Sequence, residues 1–205
     1  MFYRLGKEKG NFLMKLARKA NISQAAWKAL IPVENKIMPK LIEHSRRLDN
    51  TGEILFQNDK GTKVPVKSKH IKDRLIGTHN HPDEKHYSID SYLSFADIRN
   101  AIRFNDIEKR AVTNDGFCHL VELPPLTTLD KLRCSLILNQ YEKMQKELIK
   151  YTINELQSES TEMCHVFINK AAWTLKRKMQ KTLEKVAGLK FRTIKLPEQS
   201  FSISG

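Results

Sequence analysis

Two histidines one residue apart, followed by a serine and an aspartate three residues apart, are the side chains in this sequence best suited to chemistry. His79 and His81 are separated by an asparagine and followed by a proline, and Ser94 and Asp97 come shortly after. On an extended segment both rings point to one face, because alternate residues of a strand share a face. Two imidazoles and a carboxylate suit Zn²⁺, and a catalytic zinc keeps three protein ligands and one open position. His79, His81 and Asp97 are therefore predicted to bind zinc.

A serine and two upstream glutamates would complete such a site. If Ser94 begins a helix, Asp97 lies one turn in on the same side of that helix, so both side chains address the metal together. The Ser94 hydroxyl would then donate a hydrogen bond to a developing oxyanion. A general base is still useful beside a metal-activated water, and Glu43 and Glu53 are the upstream candidates.

The surrounding sequence predicts alternating strands and helices, as in an α/β sandwich. Short strands separated by Asn-Thr-Gly and Asp-Lys-Gly turns lead into the histidines, a helix begins at Ser94, and a hairpin with an Asn-Asp-Gly turn follows. The predicted elements are strands at 53–57, 63–66 and 74–78, a helix at 94–104, strands at 110–113 and 117–121, and helices at 129–156 and about 163–186.

The N-terminal part is predicted to be helical up to two prolines. Apolar residues recur at spacings of three and four over 12–30. Pro32 and Pro39 are expected to interrupt the helix, because proline lacks the N–H that a helix interior needs. We therefore divide the chain into four parts: an N-terminal basic helical extension (1–36), a core (37–125), a C-terminal helical hairpin (126–187) and a polar tail (188–205).

Composition indicates a soluble globular protein. Of the 205 residues, 40% are hydrophobic and 29% are charged. The sequence has no run of eighteen apolar residues and no apolar signal core at its N-terminus, so we expect an intracellular, cytoplasmic protein without a membrane span. Cys118, Cys134 and Cys164 are odd in number and widely spaced, which argues against a disulfide framework and against a structural zinc ribbon.

The net charge of +13 lies in the two flanks. Residues 1–42, 43–125 and 126–205 carry net charges of +7, 0 and +6. Such basic flanks fit solvated helix faces, or contacts with acidic protein surfaces, nucleic acid or an anionic membrane. The charges are not interleaved with aromatic residues in a base-stacking pattern, which favours the solvated or protein-contact interpretation.

The metal-site motif resembles that of a known family. His79-x-His81-Pro82 followed by Ser94-x-x-Asp97 is similar to the JAMM/MPN metalloprotease motif, found in deubiquitinating isopeptidases and in many bacterial and phage proteins. In that family the two histidines and the aspartate bind zinc, the serine supports the oxyanion, and an upstream glutamate is the acid/base. The resemblance implies a JAMM-like, cytidine-deaminase-like mixed sheet sandwiched by helices, here with N- and C-terminal helical extensions.

Residues 37–123 carry this resemblance, which also favours one of the two candidate general bases over the other. The segment from Glu43 to Val66 is similar to the strand–turn–strand that precedes the histidines in bacterial and phage members, which favours Glu43 over Glu53. One departure is the segment 83–93, eleven residues between Pro82 and Ser94 where many members have about six. Its His86 is more typical of an exposed loop imidazole than of a ligand.

Two functions follow as expectations. The first is a zinc-dependent metallopeptidase or isopeptidase that cleaves an amide bond in a protein substrate, either a ubiquitin-like protein or a phage or host protein. The second is a non-catalytic JAMM-like scaffold in a phage or mobile-element assembly, whose basic helices bind protein or nucleic acid.

Overall fold

The computed structural model describes residues 22–59, 63–65, 74–82, 92–155 and 161–197 as a mixed α/β structure with a seven-stranded sheet. The α/β class is confirmed. Most of segment 83–93, including His86, lies outside these ranges. The elements are α1 (Gln24–Ile37), β1 (Ser45–Leu48), β2 (Ile54–Asn58), β3 (Lys63–Pro65), β4 (Ile76–His81), α2 (Phe95–Phe104), β5 (Glu108–Thr113), β6 (Phe117–Glu122), α3 (Thr128–Glu155), α4 (Thr161–Ala187) and β7 (Lys190–Lys195).

The sheet places the end of β4 beside the start of α2. Its strand order is β3-β2-β1-β4-β5-β6-β7, and every pair is antiparallel except β4 and β5. Parallel strands need a crossover connection, and α2 lies in the one between β4 and β5. A crossover helix begins at the carboxyl end of the preceding strand, so the N-terminus of α2 meets the end of β4 that carries the histidines.

Helices cover both faces of the sheet. Trp27 and Leu30 of α1 pack on Leu48 and Ile76 on one face. On the other face, α2, α3 and α4 form a larger core over β5 and β6; its buried members include Ile98, Ala101, Ala111, Val121, Cys134, Leu138, Met179 and Leu183. The site-bearing strand β4 is thus held between two apolar layers, which fixes the direction of each of its side chains.

The first helix continues through Pro32, where an interruption was expected. α1 runs from Gln24 to Ile37 and is capped by Ser23, whose hydroxyl accepts a hydrogen bond from the N–H of Ala26. The proline removes one helical hydrogen bond. Buried side chains on both sides of it, at Leu30, Glu34 and Ile37, hold the helix against the sheet and offset that loss.

Part of the expected polar tail is a strand. Residues 190–195 form β7, which pairs antiparallel with β6 and provides one edge of the sheet. Phe191 and Ile194 pack against buried clusters on the two faces of the sheet. This segment was predicted to be a polar tail because it is rich in lysine and arginine. Such charged residues are nevertheless common on edge strands.

The structure bears on two expectations from the sequence, which concern membrane-spanning helices and disulfide bonds. Within the described ranges, the structure has no helix long and apolar enough to cross a membrane. Cys118 and Cys134 are buried and form no disulfide, while the side chain of Cys164 lies outside the described part.

Gly52 is the position where the turn between β1 and β2 depends on glycine. Its φ is +93°, and an added Cβ would lie 2.6 Å from the Cβ of Ala29 in α1. We expect Gly52→Ala to lower the free energy of unfolding by about 2 kcal/mol or more, because backbone strain and overpacking add. Gly116→Ala is the control in chemical denaturation, since its φ is +82° but nothing lies within 4 Å. Equal losses for the two variants would contradict the proposed contact with α1.

Candidate metal centre

Strand β4 brings two imidazoles to one face of the sheet. His79 is buried and His81 is half-buried, and their Nε2 atoms are 3.0 Å apart. The ring planes are inclined at 63° and the ring centroids are 4.8 Å apart. Thr78 and Asn80 alternate with them and make their contacts on the opposite side, with Glu34 and with the segment before β1. The i and i+2 spacing thus places both imidazoles on the same face of β4, as predicted.

A capping box at the start of α2 orients the carboxylate. Ser94 is the N-cap, and its Oγ accepts a hydrogen bond from the N–H of Asp97 at 3.1 Å. The N–H and hydroxyl of Ser94 donate to Oδ2 of Asp97, at 3.0 and 2.7 Å. With Oδ2 held in this way, Oδ1 lies 3.3 Å from Nε2 of His79.

The three side chains have the geometry of a small-ion site. Their candidate ligand atoms all lie within 4.8 Å of one another, and in the described part of the chain no other group of three His, Cys, Asp or Glu side chains meets this condition. In a tetrahedral zinc site with ligand distances of about 2.0–2.1 Å, neighbouring ligand atoms are about 3.3 Å apart. The separations of 3.0 and 3.3 Å measured from Nε2 of His79 match that edge length. The His79–His81–Asp97 cluster could therefore hold a metal ion.

The electrostatics of the cluster keep its carboxylate ionised. Burial by itself would raise the pKa of Asp97, but the charge of His79 and its hydrogen bond, together with Lys109 and Ser94, hold that pKa well below its usual range. The ammonium of Lys109 lies 3.5 Å from Oδ1 of Asp97. An ionised carboxylate is the form that a metal requires, so Asp97 needs no deprotonation before binding.

One atom of the cluster has no partner. Nδ1 of His79 is buried and has no hydrogen-bond partner among the described residues. Histidine ligands ordinarily donate the other ring N–H to a carboxylate, a carbonyl or water. His79 is thus held by packing in the sheet, with its Nε2 directed at His81 and Asp97.

The structure separates the two candidate bases. Ser45 of β1 lies opposite His79, and a backbone hydrogen bond from Asn80 to His44 extends this ladder by one residue. Glu43 precedes β1, and continuing the same register by one more residue would place it opposite His81; its side chain is exposed. Glu53 precedes Ile54, which pairs with Leu48 at the opposite end of β1. That end is three residues, or about 10 Å, from the position opposite His79.

Asn80 is a residue whose importance was missed. Its side chain is buried, its Nδ2 donates to the carbonyls of Lys40 and Ile42 at 3.0 and 3.1 Å, and its Oδ1 accepts from the N–H of His44 at 2.5 Å. These three bonds fix the backbone on both sides of Glu43. The hydrogen-bond partners of Asn80 lie 36 to 40 residues away in the chain, so they could not be predicted from the local sequence. The only local indication of a role for Asn80 was its position between His79 and His81.

Lys109 was also missed, because only the parallel register of β4 and β5 brings it to Asp97. Lys109 pairs with Gly77, and a Cβ on Gly77 would lie 3.2 Å from Cδ of Lys109. The glycine leaves space for the lysine side chain to run toward Asp97. The structure thus places a cation beside Oδ1 of Asp97, the oxygen that faces His79, while Ser94 holds Oδ2.

Ser94→Ala tests whether the capping box supports the cluster. We expect the variant to lose about 1 kcal/mol of stability with the cap, and to bind metal about 10- to 100-fold more weakly because Oδ2 of Asp97 is no longer held. Thr127→Ala is a matched control, since Thr127 and Asp130 form the same box at the start of α3. Chelator competition should show unchanged metal affinity in that control. Equal affinities for all three proteins would contradict the role of the box; the oxyanion role of Ser94 stays a prediction.

The other histidines lie away from the cluster or outside the described part. His44 contacts Asp59 through Nδ1 at 2.7 Å, and Nδ1 of His119 contacts Oγ1 of Thr193 at 2.9 Å. The side chains of His70, His86 and His165 are outside the described residues. Comparison with known proteins adds no assignment: no family model, no curated protein and no solved structure matches this chain.

Proposed function

We propose that this chain is a zinc-dependent hydrolase of the JAMM/MPN type that cleaves an amide or isopeptide bond in a protein substrate. The single observation that carries the proposal is the convergence of His79, His81 and Asp97, whose candidate ligand atoms all lie within 4.8 Å of one another. Two imidazoles and a carboxylate are a common donor set of hydrolytic zinc sites, and they leave a position open for water or substrate. Bound there, zinc would polarise a substrate carbonyl and lower the pKa of water toward about 7.

Residues of the chain would carry out the proton transfers and position the catalytic groups. Glu43 takes a proton from the attacking water and later returns it to the leaving amine. The capping box holds Asp97 in a single orientation, and the Asn80 bonds hold the segment that carries Glu43. Leu41 and Ile42, directly before Glu43, are exposed and offer apolar surface to a polypeptide.

The fold supports this proposal in outline. A mixed sheet with helices on both faces agrees with the general architecture that the JAMM resemblance implies. The proposal extends to a zinc ion as the metal and to a protein as the substrate. Both rest on the chemistry of the donor set and on the resemblance.

Metal content and hydrolysis should be lost together in His79→Ala. After exposure to zinc and dialysis, elemental analysis should find about one zinc per wild-type chain and almost none in the variant. The wild-type protein alone should cleave members of a quenched-fluorescence peptide library or isopeptide-linked substrates. His44→Ala is the control, because its ring contacts Asp59 outside the cluster. Zinc-free wild-type protein, or equal hydrolysis by His79→Ala, would overturn the proposal.

A second candidate function is the scaffold whose basic helix binds protein or nucleic acid. Cations on α4 recur at helical spacing and are exposed to solvent: Lys170, Arg177, Lys178, Lys181 and Lys185. Binding of nucleic acid through this stripe would weaken steeply as salt rises, because each neutralised phosphate releases counterions. A Lys178→Gln/Lys181→Gln variant that lost this binding, in a protein without hydrolytic activity, would favour the scaffold over the enzyme.

A further inference from the structure

Lys109 places a positive charge beside the oxygen that a metal ion would bind. Its ammonium lies 3.5 Å from Oδ1 of Asp97, and the same oxygen lies 3.3 Å from Nε2 of His79. The side chains of Lys109 and Asp97 are each 16% exposed, so salt and water screen this ion pair less than a pair on the open surface. A metal ion at the cluster and the Lys109 ammonium would therefore share one carboxylate.

The sheet register places Lys109 on the same face as the two histidines. Lys109 pairs with Gly77 and Ala111 pairs with His79, and alternate residues of a strand share a face. A Cβ at position 77 would lie 3.9 Å from the Lys109 ammonium, and glycine leaves that space open. The backbone of Lys109 is thus fixed relative to His79, and its side chain reaches Asp97 over the glycine.

The orientation of Asp97 is set by the capping box rather than by Lys109. The N–H and hydroxyl of Ser94 donate to Oδ2 of Asp97 at 3.0 and 2.7 Å, and the Ser94 hydroxyl accepts from the Asp97 N–H. The separation of 3.5 Å between the Lys109 ammonium and Oδ1 is longer than a charge-assisted hydrogen bond, which is about 2.7–2.9 Å. The main contribution of Lys109 to the cluster is therefore its charge.

This charge opposes the binding of a second cation. Zinc ligand distances are about 2.0–2.1 Å, so an ion bound to Oδ1 of Asp97 would lie within about 6 Å of the Lys109 ammonium. At about 6 Å, charges of +2 and +1 repel strongly enough to lower a binding constant about tenfold, even with the dielectric constant of bulk water. The effective dielectric constant at a half-buried site is lower, which makes the repulsion larger.

We infer that Lys109 regulates metal loading: it balances the charge of Asp97 in the metal-free protein and weakens the binding of a divalent cation about tenfold or more. Without an ion, the ammonium and the carboxylate keep the cluster close to neutral. With an ion, the repulsion favours release, so the site fills at a higher free metal concentration than it would without the lysine. The inference deepens the proposed function, on which it rests for zinc as the metal.

The zinc affinity of charge-altered variants tests this role without a catalytic readout. Zn²⁺ is titrated against a competing fluorescent chelator, after circular dichroism has shown that each variant is folded. Lys109→Met and Lys109→Gln, which are both neutral, should bind zinc about tenfold or more tightly than the wild type. Lys109→Arg keeps the charge and should show no such gain. Lys143→Met is the control, because the Lys143 side chain is 79% exposed and pairs with Glu147 on α3.

The sign of the change separates a charge effect from a structural one. Replacing a side chain that orients Asp97 or supports the fold would weaken zinc binding. Weaker or unchanged binding by both neutral variants, or an equal gain in Lys109→Arg, would overturn the inference while zinc binding by the wild type still supported the hydrolase. Zinc binding by the neutral variants with none by the wild type would support the inference and overturn the hydrolase. No zinc binding by any of these proteins would overturn both.

Discussion

Replacing Glu43 by glutamine is expected to leave metal binding intact and to lower hydrolysis by about 10²- to 10⁴-fold, the usual contribution of a positioned general base. Glutamine keeps the shape of the side chain and its hydrogen-bonding ability but cannot take a proton at neutral pH. Continuing the β1–β4 register two residues beyond Ser45 would place Glu43 opposite His81, and Glu43 is not in the group of candidate ligands. A base in that position acts on water without competing for the ion.

Glu53→Gln is the matched control for this prediction. It makes the same chemical change at the opposite end of β1, where the carboxylate cannot reach water at the cluster. The measurement is steady-state hydrolysis of a cleaved peptide, with zinc content determined for each protein. Full activity of Glu43→Gln would remove Glu43 from the mechanism, and loss of zinc in the same variant would make it a ligand.

Arg110→Met is expected to destabilise the fold by about 3–5 kcal/mol, the cost of leaving a buried charge without its partner. Arg110 is fully buried and donates from Nε and Nη2 to the Glu34 carboxylate and from Nη1 to Glu108. Thr78, the neighbour of His79, donates to the same Glu34 carboxylate at 2.9 Å. Burial raises the pKa of Glu108, while Arg110 opposes that shift.

A double variant shows whether the loss comes from an unpaired charge. Replacing Arg110 together with the carboxylate that accepts two of its hydrogen bonds, in Glu34→Leu/Arg110→Met, should recover part of the stability, because only one buried carboxylate, Glu108, is then left without its cation instead of two. Arg99→Ala, which breaks the half-exposed pair with Glu142, should cost less than about 1 kcal/mol. Urea denaturation of the four proteins measures these differences. A double variant no more stable than Arg110→Met alone would contradict the unpaired-charge explanation.

The sequence predicted the cluster because its geometry is local. Two ligands share a face through the period of a strand, and the third follows a capping serine by three residues, so no long-range register was needed. The strands at 110–113 and 117–121 and the two long helices were predicted for the same reason, since each has its own periodicity and turn signals. Lys109, Asn80 and the Glu34–Arg110 pair depend on register or on contacts over 12 to 76 residues, which no local pattern encodes.

His81 and Asp97 are neighbours in space but sixteen positions apart in the chain, so an ion bound between them would close a covalent loop. The entropy of closing a flexible loop rises only with the logarithm of its length, and doubling the length costs about 0.6 kcal/mol. The eleven residues between Pro82 and Ser94 therefore add little to the free energy of assembling the cluster compared with a connection of about half that length. Substitutions or insertions in this connection could therefore change what reaches a bound ion, while His81 and Asp97 would still be able to meet at the cluster.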